Sequence, residues 1–189
     1  MTRKNFHFHP LTPGRWKDFE KLFGANGACA GCWCTYWILK RSEYNEMRKT
    51  GATKNVFKNI VKKGPPPGIL AYDNENTVGW CAIQPRDNYP VLQNSRILKP
   101  VDDKPVWSIV CFYIQKEYRK HGLTTLLINE AVKFAKTKGA KIIEGYPVEP
   151  KKETAPVFIY TGVASSFLKA GFKEAARRSE TRPIMRRNI

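Results

Sequence analysis

The run Val106-Trp107-Ser108-Ile109-Val110-Cys111-Phe112-Tyr113-Ile114 is almost continuously apolar, β-branched or aromatic. That is the pattern of a strand buried on both faces, which must have cover on each side. The residues that follow supply part of it. Leu123, Leu126, Leu127, Ala131, Phe134 and Ala135 make one helical stripe, with Lys136 and Lys138 in the last turn and Gly139 as the stop. Lys141 to Tyr146 then reads as a strand returning parallel to the first, so residues 106–146 form a β-α-β unit. The chain is thereby placed in the α/β class, with a central mixed sheet flanked by helices.

The remaining elements fit around this unit. Residues 5–12 alternate like a short strand, with Phe6 and Phe8 on one face and His7 and His9 on the other. Trp16, Phe19, Leu22 and Phe23 recur at helical spacing up to Gly24, and residues 41–63 read as two helices broken at Gly51. Ile69–Tyr72 and Thr77–Ile83 flank the turn sequence Asp73-Asn74-Glu75-Asn76, which predicts a hairpin. The interval 84–104 reads as a long irregular connection with a short helix around Ser95–Leu98. A helix over Val163–Lys169 and a last hairpin turning near Ser179-Glu180-Thr181 complete the chain. No repeat or second domain is evident, so residues 1–189 are expected to form one domain.

The net charge of +17 predicts attraction to a polyanion or a phosphorylated small molecule. The basic residues are spread along the chain and no RNA-binding signature accompanies the aromatics, so a nucleic-acid-binding module is the weaker option. No apolar run reaches the roughly 18 to 20 residues needed to span a bilayer, and residues 1–7 lack the apolar core of a signal peptide. Five cysteines, an odd number, argue for reduced thiols and a cytoplasmic location. Three of them lie in Ala28-Cys29-Ala30-Gly31-Cys32-Trp33-Cys34-Thr35-Tyr36-Trp37. A closed zinc site takes four ligands in better separated pairs, so these thiols read first as small buried hydrophobes packed with aromatics, and no metal is assigned. The functional alternative is the wall of a pocket, because Trp and Tyr present flat apolar surface with a polar tip.

The stretch with chemistry written into it is Arg119-Lys120-His121-Gly122-Leu123-Thr124-Thr125. It ends a strand and opens a helix, so its free backbone amides and two cationic side chains make an anion site suited to phosphate. It lacks the G-K-[ST] ending of a P-loop and the G-x-G-x-x-G of a dinucleotide fold.

The span from Val106 to Tyr146 resembles the cofactor-binding core of the GCN5-related N-acetyltransferase (GNAT) superfamily. The family's Q/R-x-x-G-x-G/A signature matches Arg119, Gly122 and, as a departure, Thr124. Phe167-Leu168-Lys169-Ala170-Gly171-Phe172 looks like the family's late-helix ending Y-x-K-x-G-F. The resemblance implies an acyl-CoA N-acyltransferase fold with acetyl-CoA as cofactor and CoA as product. It places the pyrophosphate on Arg119, Lys120 and the amides of His121, Gly122, Leu123, Thr124 and Thr125, and the pantetheine arm along Phe112, Tyr113 and Ile114. It also implies direct attack by an amine in a ternary complex, with a backbone amide near Phe112 polarising the thioester.

The family's acid tyrosine aligns with Phe167, which has no proton to give. Tyr160 and Tyr146 are the substitute candidates for the catalytic acid. No carboxylate base is evident, since the central strand has none and Glu144 is expected to face solvent. The acceptor, a small-molecule or peptide amine, is expected against Trp33, Tyr36, Trp37 and Trp80, suited to a small or cationic amine. A catalytically silent CoA-binding protein is the alternative that the Phe167 departure keeps open. The oligomeric state is left open, a homodimer included.

Overall fold

The structure, a computed structural model, describes residues 5–189. Strand β1 (Phe6–Pro10) alternates as predicted, with Phe6 and Phe8 turned toward the core and His7 and His9 exposed. Helix α1 (Trp16–Phe23) buries Trp16, Phe19, Leu22 and Phe23 and ends at Gly24. Helices α2 (Arg41–Thr50) and α3 (Thr53–Lys63) are separated at Gly51. Strands β2 (Gly68–Asp73) and β3 (Asn76–Pro85) form the expected antiparallel hairpin.

The short helix of the long connection, α4, spans Pro90–Gln93, five residues earlier than Ser95–Leu98. Pro90 stands in its first turn, where the missing N–H costs nothing. Ser95 instead caps a turn, its Oγ accepting the Leu98 amide at 3.1 Å. Strand β4 (Trp107–Ile114) and helix α5 (Leu123–Thr137) follow. Strand β5 (Ile142–Gly145), helix α6 (Ala164–Lys169) and the hairpin of β6 (Lys173–Arg177) and β7 (Pro183–Asn188) close the chain.

All these strands join one seven-stranded sheet in the order β1-β2-β3-β4-β5-β7-β6. Only β4 and β5 pair in parallel, across the α5 crossover, and the other pairs are antiparallel. One core lies between the sheet and α5 with α6, and a second between the sheet and α1 with α3. In α5 the buried stripe is Leu123, Leu127, Ile128, Ala131, Val132, Phe134 and Ala135. Leu126, expected on that stripe, is exposed, because the Leu123–Leu127–Ala131 line that faces the sheet leaves it a quarter-turn to the side.

Strand β4 carries a bulge. Its register with β3 passes from Ala82↔Cys111 to Ile83↔Ile109, leaving Val110 as the extra residue. Ile109, Phe112 and Ile114 therefore face α5, while Val110, Cys111 and Tyr113 face the other core. On its other edge β4 pairs with β5 only at Trp107↔Ile143, Ser108↔Glu144 and Ile109↔Gly145, and then the strands part. The ring of Phe167 is fully buried here, edge-on to Phe112 and Phe172.

A Cβ on Gly145 would overlap the Phe167 ring, so glycine is required for β5 and α6 to approach this closely. Gly145→Ala is expected to cost about 1–3 kcal/mol of stability by overpacking. Adding Phe167→Leu should return part of that loss, a coupling read from chemical denaturation of the two single variants and the double.

Candidate active site

The loop between β4 and α5 has the shape of an anion cradle. Gly122 is left-handed at the N-cap of α5 (φ 79°, ψ 0°), and Lys120 is left-handed too (φ 62°), a costly conformation for a residue with a Cβ. Two such residues on either side of His121 turn successive amides toward one concavity. Among the described residues the amides of Lys120, His121, Gly122, Leu123 and Thr124 have no hydrogen-bond acceptor, whereas Thr125 and Leu126 donate to the Gly122 carbonyl. Arg119 braces the loop, its Nε donating to the Ile114 carbonyl at 2.8 Å. Lys120 and His121 are exposed beside the free amides.

Where β4 leaves β5, the freed edge meets the chain segment before α6. The Phe112 amide donates to the Tyr160 carbonyl at 2.6 Å. The loop that carries Tyr160 is closed at its base by Val148 N–H to Gly162 O (2.9 Å) and Ala164 N–H to Val148 O (3.1 Å). Tyr160 packs against the core on the α1 side, its ring 6.3 Å from Tyr36 and 6.4 Å from Trp37. Its hydroxyl makes no hydrogen bond among the described residues. Burial, then the neighbouring Tyr36 and Cys111, push its pKa above the ordinary phenol value.

The four aromatic candidates fall into two pairs. Trp33 is buried and stacked near Trp16 and Phe23, with a Cβ on Gly27 excluded by its indole. Trp80 is fully buried and donates Nε1 to the Cys34 sulfur at 3.1 Å. Both are core. Tyr36 and Trp37 stand beside Tyr160, with the Arg41 guanidinium 5.0 Å over the Tyr36 ring. The Trp37 indole N–H is buried without a partner among the described residues.

Tyr146 is elsewhere and fully engaged. Its buried hydroxyl meets Arg86 Nη1 (2.6 Å), Ser108 Oγ (2.8 Å) and Glu144 Oε2 (2.8 Å). Glu144, expected at the surface, is 1% exposed. It sits on an interior strand, where its charge is matched by Arg86 and by Arg186, the latter also pairing with Asp102. A depression of about 360 Å³ beside Asp102, Trp107 and Arg186 lies at the start of β4, away from the cradle, with Arg186 paired to Asp102 and Glu144 in its wall.

Burial pushes the pKa of the Cys32 thiol up to about 11, and contact with Cys34 followed by burial holds Cys111 well above the ordinary value. Among the described residues no group of three or more His, Cys, Asp or Glu side chains is arranged to hold a metal ion. No helix there is long and apolar enough to cross a membrane.

The sequence profile of the acetyltransferase (GNAT) family matches residues 33–154, more than half of the chain. The chain belongs to this family. No curated protein sequence matches it, while many solved structures do. PaiA N-acetyltransferase from Thermoplasma acidophilum, in complex with coenzyme A, is 14% identical over 98% of this chain and 99% of its own, with a TM-score of 0.54. NAA60 from Arabidopsis thaliana, in complex with acetyl-CoA, is 15% identical over 98% and 100%, with a TM-score of 0.51. A mosquito arylalkylamine N-acetyltransferase-like protein is 10% identical over 98% and 100%, with a TM-score of 0.59.

One feature of this GNAT chain escaped the sequence reading. The basic C-terminus, Lys173, Arg177, Arg178, Arg182, Arg186 and Arg187, reads as a solvated face, yet its arginines are mostly tied into the fold. Arg177 pairs with Glu149 and Glu174, Arg178 donates to the Lys99 and Pro100 carbonyls, and Arg187 donates to the Ala170 carbonyl. Arg182 reaches the segment of Tyr160, its Nη1 donating to the Thr161 hydroxyl at 3.2 Å. The one local signal is Pro183 after it, which holds Arg182 extended at the entry to β7.

Burial raises the pKa values of Cys81, Tyr89 and Tyr146, and Cys111 is raised chiefly by Cys34. In the unfolded chain the thiols ionise near ~8.5 and the phenols near ~10. Above about pH 8.5 the unfolded state then binds fewer protons than the folded one, so stability falls as pH rises. Tm is expected to be flat up to about pH 8 and to decline steadily from about pH 8.5 to 11, checked by differential scanning fluorimetry.

Proposed function

We propose that this chain is an acetyl-CoA-dependent N-acetyltransferase in which an amine acceptor attacks the thioester directly in a ternary complex. The observation that carries this is the row of unpaired amides from Lys120 to Thr124 at the start of a 15-residue helix, beside exposed cationic side chains. A Cβ built on Gly122 meets nothing within 4 Å, so the loop is uncrowded at that residue. The neighbours solved with coenzyme A or acetyl-CoA agree with this choice of ligand. The amides of Lys120, His121, Gly122, Leu123 and Thr124, with the side chains of Arg119 and Lys120, would hold the pyrophosphate, and Phe112, Tyr113 and Ile114 the pantetheine arm; the Thr125 amide, expected among them, is already bonded to the Gly122 carbonyl. Bound acetyl-CoA supplies an electrophilic acyl carbon with a thiolate leaving group.

Phe112 offers the amide nearest the parting of the strands. It serves the Tyr160 carbonyl, so polarising a substrate carbonyl requires the Tyr160 segment to draw back from β4. That segment carries Val157 and Phe158, large apolar side chains left exposed, which suits a flap that closes over an arm lying along β4. Tyr160 is the proton donor. Its hydroxyl is free, its raised pKa keeps the proton on at neutral pH, and it stands beside Tyr36 and Trp37. Tyr146 is the weaker choice because its hydroxyl already has three partners. Tyr36 and Trp37 form the acceptor wall, with Trp33 and Trp80 supporting it from the core, and the acceptor is a small-molecule or peptide amine. Five free thiols suit a reducing, cytoplasmic compartment.

The occupied Phe112 amide and Phe167 in place of a tyrosine favour one other reading, a CoA-binding protein without catalysis. A panel of amines assayed by thiol release separates the two.

Saturating acetyl-CoA, at about 100-fold its Kd, is expected to raise Tm by roughly 5–10 °C. Gly122→Val should abolish most of that rise, since a branched side chain there strains the left-handed turn and stands over the amides. Tyr160→Phe is expected to keep the acetyl-CoA response while lowering kcat by about 100- to 10,000-fold. An unchanged kcat in that variant would remove Tyr160 from the role of acid.

A further inference from the structure

We propose that Arg182 selects acceptors that carry a carboxylate next to the amine, so that the natural substrate class is the amino carboxylates. The proposal rests on the acetyl-transfer reading above and names the substrate class of the same site. Arg182 is half-buried, and the single hydrogen bond of its side chain among the described residues is Nη1 to the Thr161 hydroxyl at 3.2 Å. Thr161 directly follows Tyr160, whose carbonyl takes the Phe112 amide. The guanidinium therefore stands beside the segment that covers β4 at Phe112, on the side of Tyr36 and Tyr160.

Its electrostatic setting is unlike that of the other arginines in the C-terminal segment. Arg177 and Arg186 each hold two carboxylates, and Arg178 and Arg187 are bonded to backbone carbonyls. No carboxylate lies within ion-pair distance of Arg182 among the described residues, and its titratable neighbours are the phenols of Tyr160 and Tyr36. Burial lowers its pKa, the direction expected of a cation removed from water without a countercharge. A guanidinium carries five N–H donors in a planar fork that matches a carboxylate, and here most of them are unmet.

An anion from the substrate would complete this arrangement. An amine separated from its carboxylate by one carbon would then lie near the Tyr160 hydroxyl, with its side chain against Tyr36 and Trp37. The same positive charge disfavours the ammonium form of the acceptor, and attack on a thioester requires the neutral amine. It also opposes an acceptor bearing a second cation, despite the aromatic wall. The chain's overall charge of +17 draws anionic substrates toward the site from a distance.

The test compares amines of matched shape with and without the carboxylate: L-phenylalanine against phenethylamine, and L-tryptophan against tryptamine. Two measurements are made with the full chain, kcat/KM by thiol release with acetyl-CoA and the Tm rise caused by each amine with CoA present. The expected result is a preference of about 10- to 100-fold for the carboxylate member. That ratio should collapse toward one in Arg182→Ala and be intermediate in Arg182→Lys, which keeps the charge and loses the fork. Absence of the preference, or its persistence in Arg182→Ala, overturns the proposal. The acetyl-CoA Tm rise, read in the same samples, separates the two levels. Its absence from the wild-type chain counts against the acetyltransferase reading itself, while its presence together with equal binding of paired amines counts against Arg182 alone.

Discussion

A strand in the middle of a sheet that loses its neighbour must find other partners for its backbone, and this is the condition on which the whole site depends. Strand β4 pairs with β5 at three positions and then continues alone on that edge. Each group exposed by the parting is answered in a different way: the Phe112 amide by Tyr160, the Ile114 carbonyl by Arg119, and the apolar gap by the ring of Phe167. The bulge at Val110 belongs to the same solution, since it turns Phe112 toward Phe167 and Cys111 toward the aromatic side. The gap thus has a concave loop of backbone amides at one end and the Tyr160 segment bonded across its edge at Phe112.

The hydrophobic periodicity of β4, α5 and β5 is enough to read the central β-α-β unit and the loop that joins β4 to α5, because those features are set by local spacing. The hairpins, α1 and the break at Gly51 were legible for the same reason. The position of α4 was not, because Pro90 as a helix starter competes with a polar segment that forms turns just as readily. Glu144 and Arg182 were misread through their charge alone. Whether a charged side chain is solvated or buried depends on partners far along the chain, Arg86 and Arg186 in one case and Thr161 in the other. Trp33, Trp37 and Trp80 share one core cluster, and Trp37 differs in having Tyr36 and Tyr160 as its ring neighbours.

The segment between α1 and α2 gains its shape at a conformational cost. Ala28, Ala30, Trp33 and Cys34 all have positive φ values, in company with Gly24, Gly27 and Gly31. Such conformations persist only where surrounding contacts over-determine them. The contacts here are the Trp33 stack, the Cys34 sulfur held by Trp80 and the Thr53 hydroxyl donating to the Gly31 carbonyl at 2.7 Å. Aromatic packing in the core thereby fixes Tyr36 and Trp37, which border the site, on a stretch of chain with no helix or strand of its own.

The clamp on Glu144 bears on the order in which the sheet can be assembled. Strand β5 lies between β4 and β7, and the second guanidinium on its carboxylate comes from Arg186 on β7. Until the β6–β7 hairpin docks, the interior of the sheet holds an anion balanced by Arg86 alone, next to an unpaired strand edge. One carboxylate thereby ties the closing of the sheet to the arrival of its last hairpin.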